Sequence, residues 1–84
     1  MEKVKNVIRE LNIISDTKYS ILQCLNNVDM MCSPLMIGFN IGKAQQMIYN
    51  LYIDKYINYD MYNLLNDALF DYMGELIHNN YKNV

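Results

Sequence analysis

The fold is decided most clearly by residues 59–78, which read YDMYNLLNDALFDYMGELIH. Apolar side chains recur there every three or four residues, the spacing that places them on one face of an α-helix. Asn58 precedes the segment as a capping residue, and Asp60 lies in its first turn, where a carboxylate is stabilised by the helix dipole. The segment is predicted to be a long amphipathic helix whose inward side chains are Tyr62, Leu65, Leu69, Tyr72, Met73 and Leu76.

The same spacing recurs three times earlier in the chain. It predicts helices over residues 2–14, 17–31 and 41–54 in addition to 59–78. Ser33-Pro34 interrupts the pattern, and residues 32–41 are predicted to be a loop with one helical turn. The alternative left open is that Pro34 begins the third helix behind a Ser33 cap, since proline is favoured at the first helical position.

Four amphipathic helices joined by short links predict one architecture. The chain has 84 residues, which corresponds to a single domain over 1–84. It contains only three Gly and one Pro, and this scarcity argues against a turn-rich β fold. Helices joined by short links pack antiparallel against their neighbours. The expected fold is therefore all-α, an antiparallel up-down four-helix bundle.

Composition and charge narrow the classes of function. The net charge is −2 and no basic stripe is visible, which argues against binding DNA or RNA. The longest apolar run, residues 30–41, is shorter than the roughly 20 residues of a membrane-spanning helix, and the amino end shows no secretory signal. Cys24 and Cys32 would lie about 12 Å apart along one helix, too far for a disulfide, so both are expected to be buried reduced thiols. A cytoplasmic protein is expected.

Residues that could carry chemistry do not form a complete set. His78, the only histidine, follows Glu75 by three residues, and a Glu-x-x-His pair is half of a di-iron signature that has no second half in this chain. Neither Cys24 nor Cys32 has a nearby base or cation in the sequence to activate it. We therefore expect no catalytic, metal or cofactor site, and a protein that is not an enzyme.

Tyrosines in the second half of the chain are one group of candidate binding residues. There are eight tyrosines in all, more than one small core needs. Tyr56, Tyr59 and Tyr81 are expected to be exposed, and tyrosine is enriched at protein interfaces. One interpretation is that they pack at the helix ends. The other is a recognition surface on the hairpin of the third and fourth helices, formed by these residues with neighbouring Lys82.

Acidic residues of the fourth helix are the second group. Asp67, Asp71 and Glu75 recur every four positions and so share one helix face that ends near His78. One interpretation is a solvated face partly neutralised by basic residues of the first helix, and the other is a recognition patch for a basic partner. The basic residues in question are Lys3, Lys5 and Arg9.

The order of short motifs resembles that of a known family. These motifs are SDTKYSIL at 15–22, a proline-containing connector, IYNLY at 48–52 and INYDMY at 57–62, before a leucine-rich final helix. The chain resembles the immunity proteins of class IIa (pediocin-like) bacteriocins, especially the enterocin A immunity type. Those proteins contain similar Asp-x-Lys-Tyr-Ser and Asn-x-Leu-Tyr stretches and a similar Ile-x-x-x-x-Tyr helix start, and the likeness covers nearly the whole chain.

The resemblance implies a function as well as a fold. Members are four-helix bundles in the cytosol of the bacteriocin producer, which they protect by engaging the mannose phosphotransferase permease when bacteriocin has captured it. Their specificity lies largely in the carboxyl-terminal half and tail, here the third and fourth helices and residues 79–84. Two alternatives remain: a small phage or mobile-element regulator that inhibits another protein or assembles as an oligomer, and a helix-turn-helix regulator. The acidic stripe weighs against the latter.

Overall fold

Four α-helices form the regular structure. The computed structural model describes residues 2–30 and 33–82, and the side chains of residues 2–30 and 33–78. No strand occurs among these residues. The predicted all-α fold with four helices is confirmed. The helices are α1 (Glu2–Glu10), α2 (Ser15–Asp29), α3 (Pro34–Ile53) and α4 (Tyr59–Lys82).

Each helix contacts the helices that precede and follow it, and α1 also contacts α4. The packing of α3 against both α2 and α4 is extensive, whereas α1 contacts α2 and α4 sparsely. Residues near the end of α3 meet residues near the start of α4, since the ring of Tyr52 lies against that of Tyr59 and the ring of Tyr49 against that of Tyr62. The described residues extend over 42 × 23 × 19 Å.

The core lies between the four helices and is almost entirely aliphatic. Every helix supplies at least one fully buried side chain, and each such side chain contributes roughly 1.5–3 kcal/mol of hydrophobic stabilisation. On α4, Leu65 and Leu69 are fully buried as predicted, while Tyr62 and Tyr72 are partly buried at the edge. The largest fully buried side chains are Ile8, Ile21, Leu25, Val28, Ile37, Ile41, Ile48, Leu65 and Leu69.

The first two helices are displaced from their predicted limits. The prediction of residues 2–14 for α1 is wrong at its end, because α1 stops at Glu10. Ile14 instead adopts an extended conformation (φ −58°, ψ 133°) as the N-cap of α2, and its carbonyl accepts a hydrogen bond from the Lys18 amide at 3.1 Å. The second helix therefore begins at Ser15, two residues earlier than the 17–31 helix predicted, and it ends at Asp29.

The prediction of a loop over residues 32–41 is wrong from residue 34 onward. Ser33 is extended (φ −82°, ψ 123°), Pro34 occupies the first turn, and the Ile37 amide donates to the Ser33 carbonyl at 3.0 Å. The alternative start behind Ser33-Pro34 is the one realised. Burial of Ile37 and Ile41 outweighs the roughly 1 kcal/mol that each glycine costs within a helix.

A five-residue link, 54–58, joins α3 to α4. The amides of Tyr56 and Lys55 donate to the carbonyls of Leu51 (2.9 Å) and Tyr52 (3.1 Å), the two hydrogen bonds of a Schellman motif. Lys55 takes the left-handed conformation (φ 67°), a position that glycine usually occupies. The third helix thus ends at Ile53, one residue before the predicted Asp54.

The start of α4 is confirmed and its end is not. The Asn58 side chain accepts a hydrogen bond from the Met61 amide at 2.8 Å, as predicted for the cap. The helix continues through Lys82, beyond the predicted end at His78. Residues 75–82 contain no glycine or proline to stop it. Residues 83 and 84 of the predicted tail lie outside the described residues.

Candidate functional site

One side of α3 presents apolar side chains to solvent near both ends of the helix, with Gly42 and Gln46 between them. We call this side the α3 outer face. Its members fall within roughly 40° of Leu35 around the helix axis. They are Leu35, Phe39, Tyr49 and Ile53, with exposed fractions of 80%, 59%, 42% and 53%.

The α3 outer face is also nearly uncharged. Lys43 is the only charged residue in Pro34–Ile53, and its Nζ lies 5.5 Å from the centroid of the Phe39 ring, within range of a cation–π interaction. The opposite side of the helix forms the core. Exposed apolar surface is typical of interaction sites.

A groove of about 390 Å³ separates the α3 outer face from α4. Tyrosine rings pack at one end of it, since Tyr62 stacks on Tyr52 with centroids 5.2 Å apart and meets Tyr49 edge-on at 5.9 Å. Gln45 contributes a buried side-chain nitrogen, Nε2, that has no hydrogen-bond partner. The groove therefore offers an amide donor beside aromatic rings. Its lining residues are Gly42, Gln45, Gln46, Tyr49, Tyr62 and Asn66.

The predicted tyrosines are exposed near the α3–α4 link. Tyr59 is 59% exposed, with its ring 5.9 Å from that of Tyr52 on α3, and Tyr56 is 52% exposed. Tyr56 lines two cavities, one of which lies between the start of α2 and the end of α3. The side chains of Tyr81 and Lys82 lie outside the described residues, so their predicted role stays a prediction.

The predicted acidic residues are exposed on a different side of α4. Asp67, Asp71, Glu75 and His78 are all exposed. They lie roughly 80–160° from Tyr59 around the helix axis, because each residue advances about 100°. The tyrosines adjoin α3, whereas Asp67 and Asp71 share a groove with α1. The structure does not bring the two predicted groups together into one surface.

Most of the expected neutralisation of this acidic stripe is absent from the described side chains. Lys5 pairs with Asp29 and approaches Glu2 at 3.6 Å, and Arg9 donates to the Asn6 side chain at 2.7 Å and lies 3.6 Å from Glu2. Neither Lys5 nor Arg9 forms a salt bridge with the stripe, and its partial neutralisation by Lys3 stays a prediction. Lys3 lines the same groove as Asp67 and Asp71, without a salt bridge to either.

A buried lysine links three helices. Lys5 of α1 is only 5% exposed, and its amine donates a short hydrogen bond to the Asp29 carboxylate at the end of α2. The Tyr72 hydroxyl of α4 donates to the other carboxylate oxygen at 2.7 Å. A charge this deeply buried requires such partners, so the network is explained by packing.

The network shifts the ionisation of two of its members. Partial burial works to raise the pKa of Asp29, but the hydrogen bonds from Lys5 and Tyr72 and the charge of Lys5 outweigh it, and the pKa of Asp29 falls below its ordinary value. Partial burial, the hydrogen bond to Asp29 and the nearby charges of Asp29 and Glu75 raise the pKa of Tyr72 to about 12.

The described residues contain neither a cluster of metal-ligating side chains nor a membrane-spanning helix. Among the described residues, no three or more His, Cys, Asp or Glu side chains are grouped so that they could hold a metal ion. Cys24 is buried and not in a disulfide, and Cys32 lies outside the described residues. Over residues 2–30 and 33–82, no helix combines the length and apolarity needed to cross a bilayer.

Sequence reasoning missed the α3 outer face. The loop predicted over 32–41 removed Leu35 and Phe39 from any helix, so their alignment with Tyr49 and Ile53 could not be seen. Two signals could have revealed it: the Ser33-Pro34 start, and the presence of one charge in the twenty residues that follow Ser33.

Comparison with known proteins adds no relative. No family model, no curated protein and no solved structure matches this chain.

Proposed function

We propose that this protein acts by binding another protein through the α3 outer face. The observation that carries the proposal is a row of exposed apolar side chains on a helix with a single charge. These side chains lie outside the core. Their burial against a partner would stabilise the complex by roughly 25 cal/mol for each Å² of apolar surface removed from water. Phe39 and Tyr49 are of the type that dominates binding energy at interfaces.

The resemblance to class IIa bacteriocin immunity proteins gives this proposal its most specific form. In that form the chain is a cytoplasmic or membrane-peripheral protein that engages the bacteriocin-occupied mannose phosphotransferase permease. Two of the motifs that carry the resemblance lie beside the proposed surface, since residues 48–52 end α3 and residues 57–62 begin α4. The four-helix fold is compatible with that family.

Expression of the protein in a bacteriocin-sensitive strain tests both the immunity function and the role of the α3 outer face. Cells that produce the protein should survive a panel of pediocin-like peptides. The double variant Leu35→Asp/Phe39→Asp should abolish protection, because it places two charges on the apolar face. Its matched control is Met30→Asp/Phe70→Asp, which makes the same kind of change at residues exposed elsewhere, and which should retain protection.

The outcomes separate the function from the surface. Unchanged killing of cells that produce the wild-type protein, across the whole panel, would refute the immunity function. Protection that persists in the Leu35/Phe39 variant would refute the role of the α3 outer face. Circular dichroism and thermal unfolding of each variant establish that the fold is kept, as expected for substitutions of exposed residues.

A regulatory protein that inhibits another protein or assembles as an oligomer is the second candidate. The uncharged α3 outer face favours it, because such a face can pack against a second copy of itself without charge repulsion. Sedimentation equilibrium should then show a dimer that Leu35→Asp/Phe39→Asp converts to a monomer. A monomer at all concentrations tested would rule out self-association.

A further inference from the structure

We propose that the groove between α1 and α4 binds a basic amphipathic helix of a protein partner. This site lies apart from the α3 outer face and does not depend on the function proposed for that face. Three observations support this binding site: the shape of the groove, the chemistry of its floor and the charge at its rim.

The groove has an apolar floor open to solvent. Its volume is about 340 Å³, and it exists because α1 packs only sparsely against α4. Val4 is buried at its base, Val7 and Ala68 are partly exposed, and Leu64 is 53% exposed. Such a floor accommodates apolar side chains that project from another helix. The lining residues are Lys3, Val4, Val7, Leu64, Asp67, Ala68 and Asp71.

The α4 side of the groove is acidic. Asp67 and Asp71 line it, and Glu75 continues the same side of α4 by one turn. None of the three forms a salt bridge with a described side chain: Lys5 and Arg9 are engaged with Asp29 and Glu2, and Lys3 lines the α1 side of the groove without pairing with them. The charge of this rim is thus available to attract cations and complements basic residues on a partner.

The length of the rim suits a helix. On α4 the lining residues run from Leu64 to Asp71, about 10 Å at 1.5 Å per residue, which corresponds to two turns of an approaching helix. Leucines three and four residues apart would enter the apolar floor. Lysine and arginine on either side would lay their aliphatic stems along it and reach the carboxylates with their charged ends.

Titration of the isotope-labelled protein with synthetic peptides tests the proposal by nuclear magnetic resonance. The probe is a helical peptide with leucines three and four residues apart, flanked by lysines, and the comparison peptide has the same composition in scrambled order. The first peptide should shift the amide resonances of Val4, Val7, Leu64 and Ala68. The scrambled peptide should bind at least about tenfold more weakly, because it cannot present one apolar face.

Variants separate the groove from general charge attraction. Asp67→Asn/Asp71→Asn should weaken binding about three- to tenfold, as expected from the loss of two exposed charge pairs. Asp16→Asn/Asp54→Asn removes the same charge from the cavity between α2 and α3 and should leave affinity within about twofold. Equal effects of the two variants, equal binding of the scrambled peptide, shifts confined to other helices or an absence of binding would each overturn the proposal.

Discussion

The two longest helices, α3 and α4, are alike on their inner sides and opposite on their outer sides. Both bury aliphatic side chains in the core, such as Ile41 on α3 and Leu65 on α4. Outside, α3 exposes apolar groups and one cation, whereas α4 exposes a stripe of carboxylates beside Leu64 and Phe70. The core requires only the inner side of each helix, so the chemistry of the outer sides is free to serve binding. The difference therefore suggests two contact surfaces for chemically different partners.

Truncation of one buried and one exposed side chain of α3 tests whether the inner and outer sides of this helix differ as described. Ile41→Ala should lower the free energy of unfolding by about 2–5 kcal/mol, because it leaves a cavity at a fully buried position. Leu35→Ala should change it by less than about 0.5 kcal/mol, since that side chain is 80% exposed. Chemical denaturation measures both values. A comparable loss in the two variants would mean that the α3 outer face is packed in the free protein.

The hydrogen-bond network of Lys5, Asp29 and Tyr72 includes a residue of α4 but none of α3. Asp29→Ala should lower the free energy of unfolding by about 1–3 kcal/mol, because it removes the main partner of buried Lys5 and the acceptor of Tyr72. Lys5→Met/Asp29→Ala, which also removes the buried amine, is the control and should recover part of the loss. A double variant no more stable than Asp29→Ala would contradict this account.

The same hydrogen-bond network predicts two pH dependences of stability. Because the folded-state pKa of Asp29 is lowered, its contribution is complete above its ordinary value of 3.8 and is lost as pH falls below that value. Because the pKa of Tyr72 is raised to about 12, its contribution is present below the ordinary 10.0 and is lost between pH 10 and 12. Thermal unfolding across pH measures both, and Tyr72→Phe should remove the alkaline dependence that this tyrosine causes.

The starts of α3 and α4 provide a smaller contrast. Asn58→Ala should cost about 1 kcal/mol, because its side chain caps the Met61 amide. Ser33→Ala should cost only a few tenths of a kcal/mol, since Ser33 makes no side-chain hydrogen bond at the start of α3. Equal losses in thermal unfolding would show that Ser33 caps α3 in solution.

Glycines on the two helices give a small stabilising effect. Nothing lies within 4 Å of a Cβ added at Gly42 of α3 or at Gly74 of α4, and both residues have negative φ. Alanine at either position should therefore raise the free energy of unfolding by about 0.5–1 kcal/mol. If the groove beside the α3 outer face contacts a partner, Gly42→Ala alone should weaken that contact, with Gly74→Ala as its control.

Features that depend on neighbouring residues could be predicted from the sequence, whereas features that depend on packing between distant residues could not. The number of helices and the start of α4 followed from periodicity and from the cap at Asn58. The start of α3 was missed because Gly38, Asn40 and Gly42 have low helix propensity, and the burial of Ile37 and Ile41 overrode it. Asn40 also supports the helix directly, as its side chain donates to the Met36 carbonyl at 3.0 Å.

The candidate sites required contacts between distant parts of the chain. The exposure of Tyr56 and Tyr59 followed from composition and position, but their separation from Asp67 depends on how α4 is rotated against α3 and α1. The pairing of Lys5 with Asp29, 24 residues away, determines which cations remain for the acidic stripe. No local pattern encodes that choice, because it is made only when α1 packs on α2.

The short link closed by Lys55 also has a consequence for the order of folding. Joining α3 to α4 across five residues costs little loop-closure entropy, and the interface that results is extensive. We therefore expect this hairpin to form early and α1, with its sparse contacts, to detach first from the native state. Amide hydrogen exchange should be fastest in α1 and slowest at the centres of α3 and α4, and the departure of α1 would carry away one wall of the groove it shares with α4.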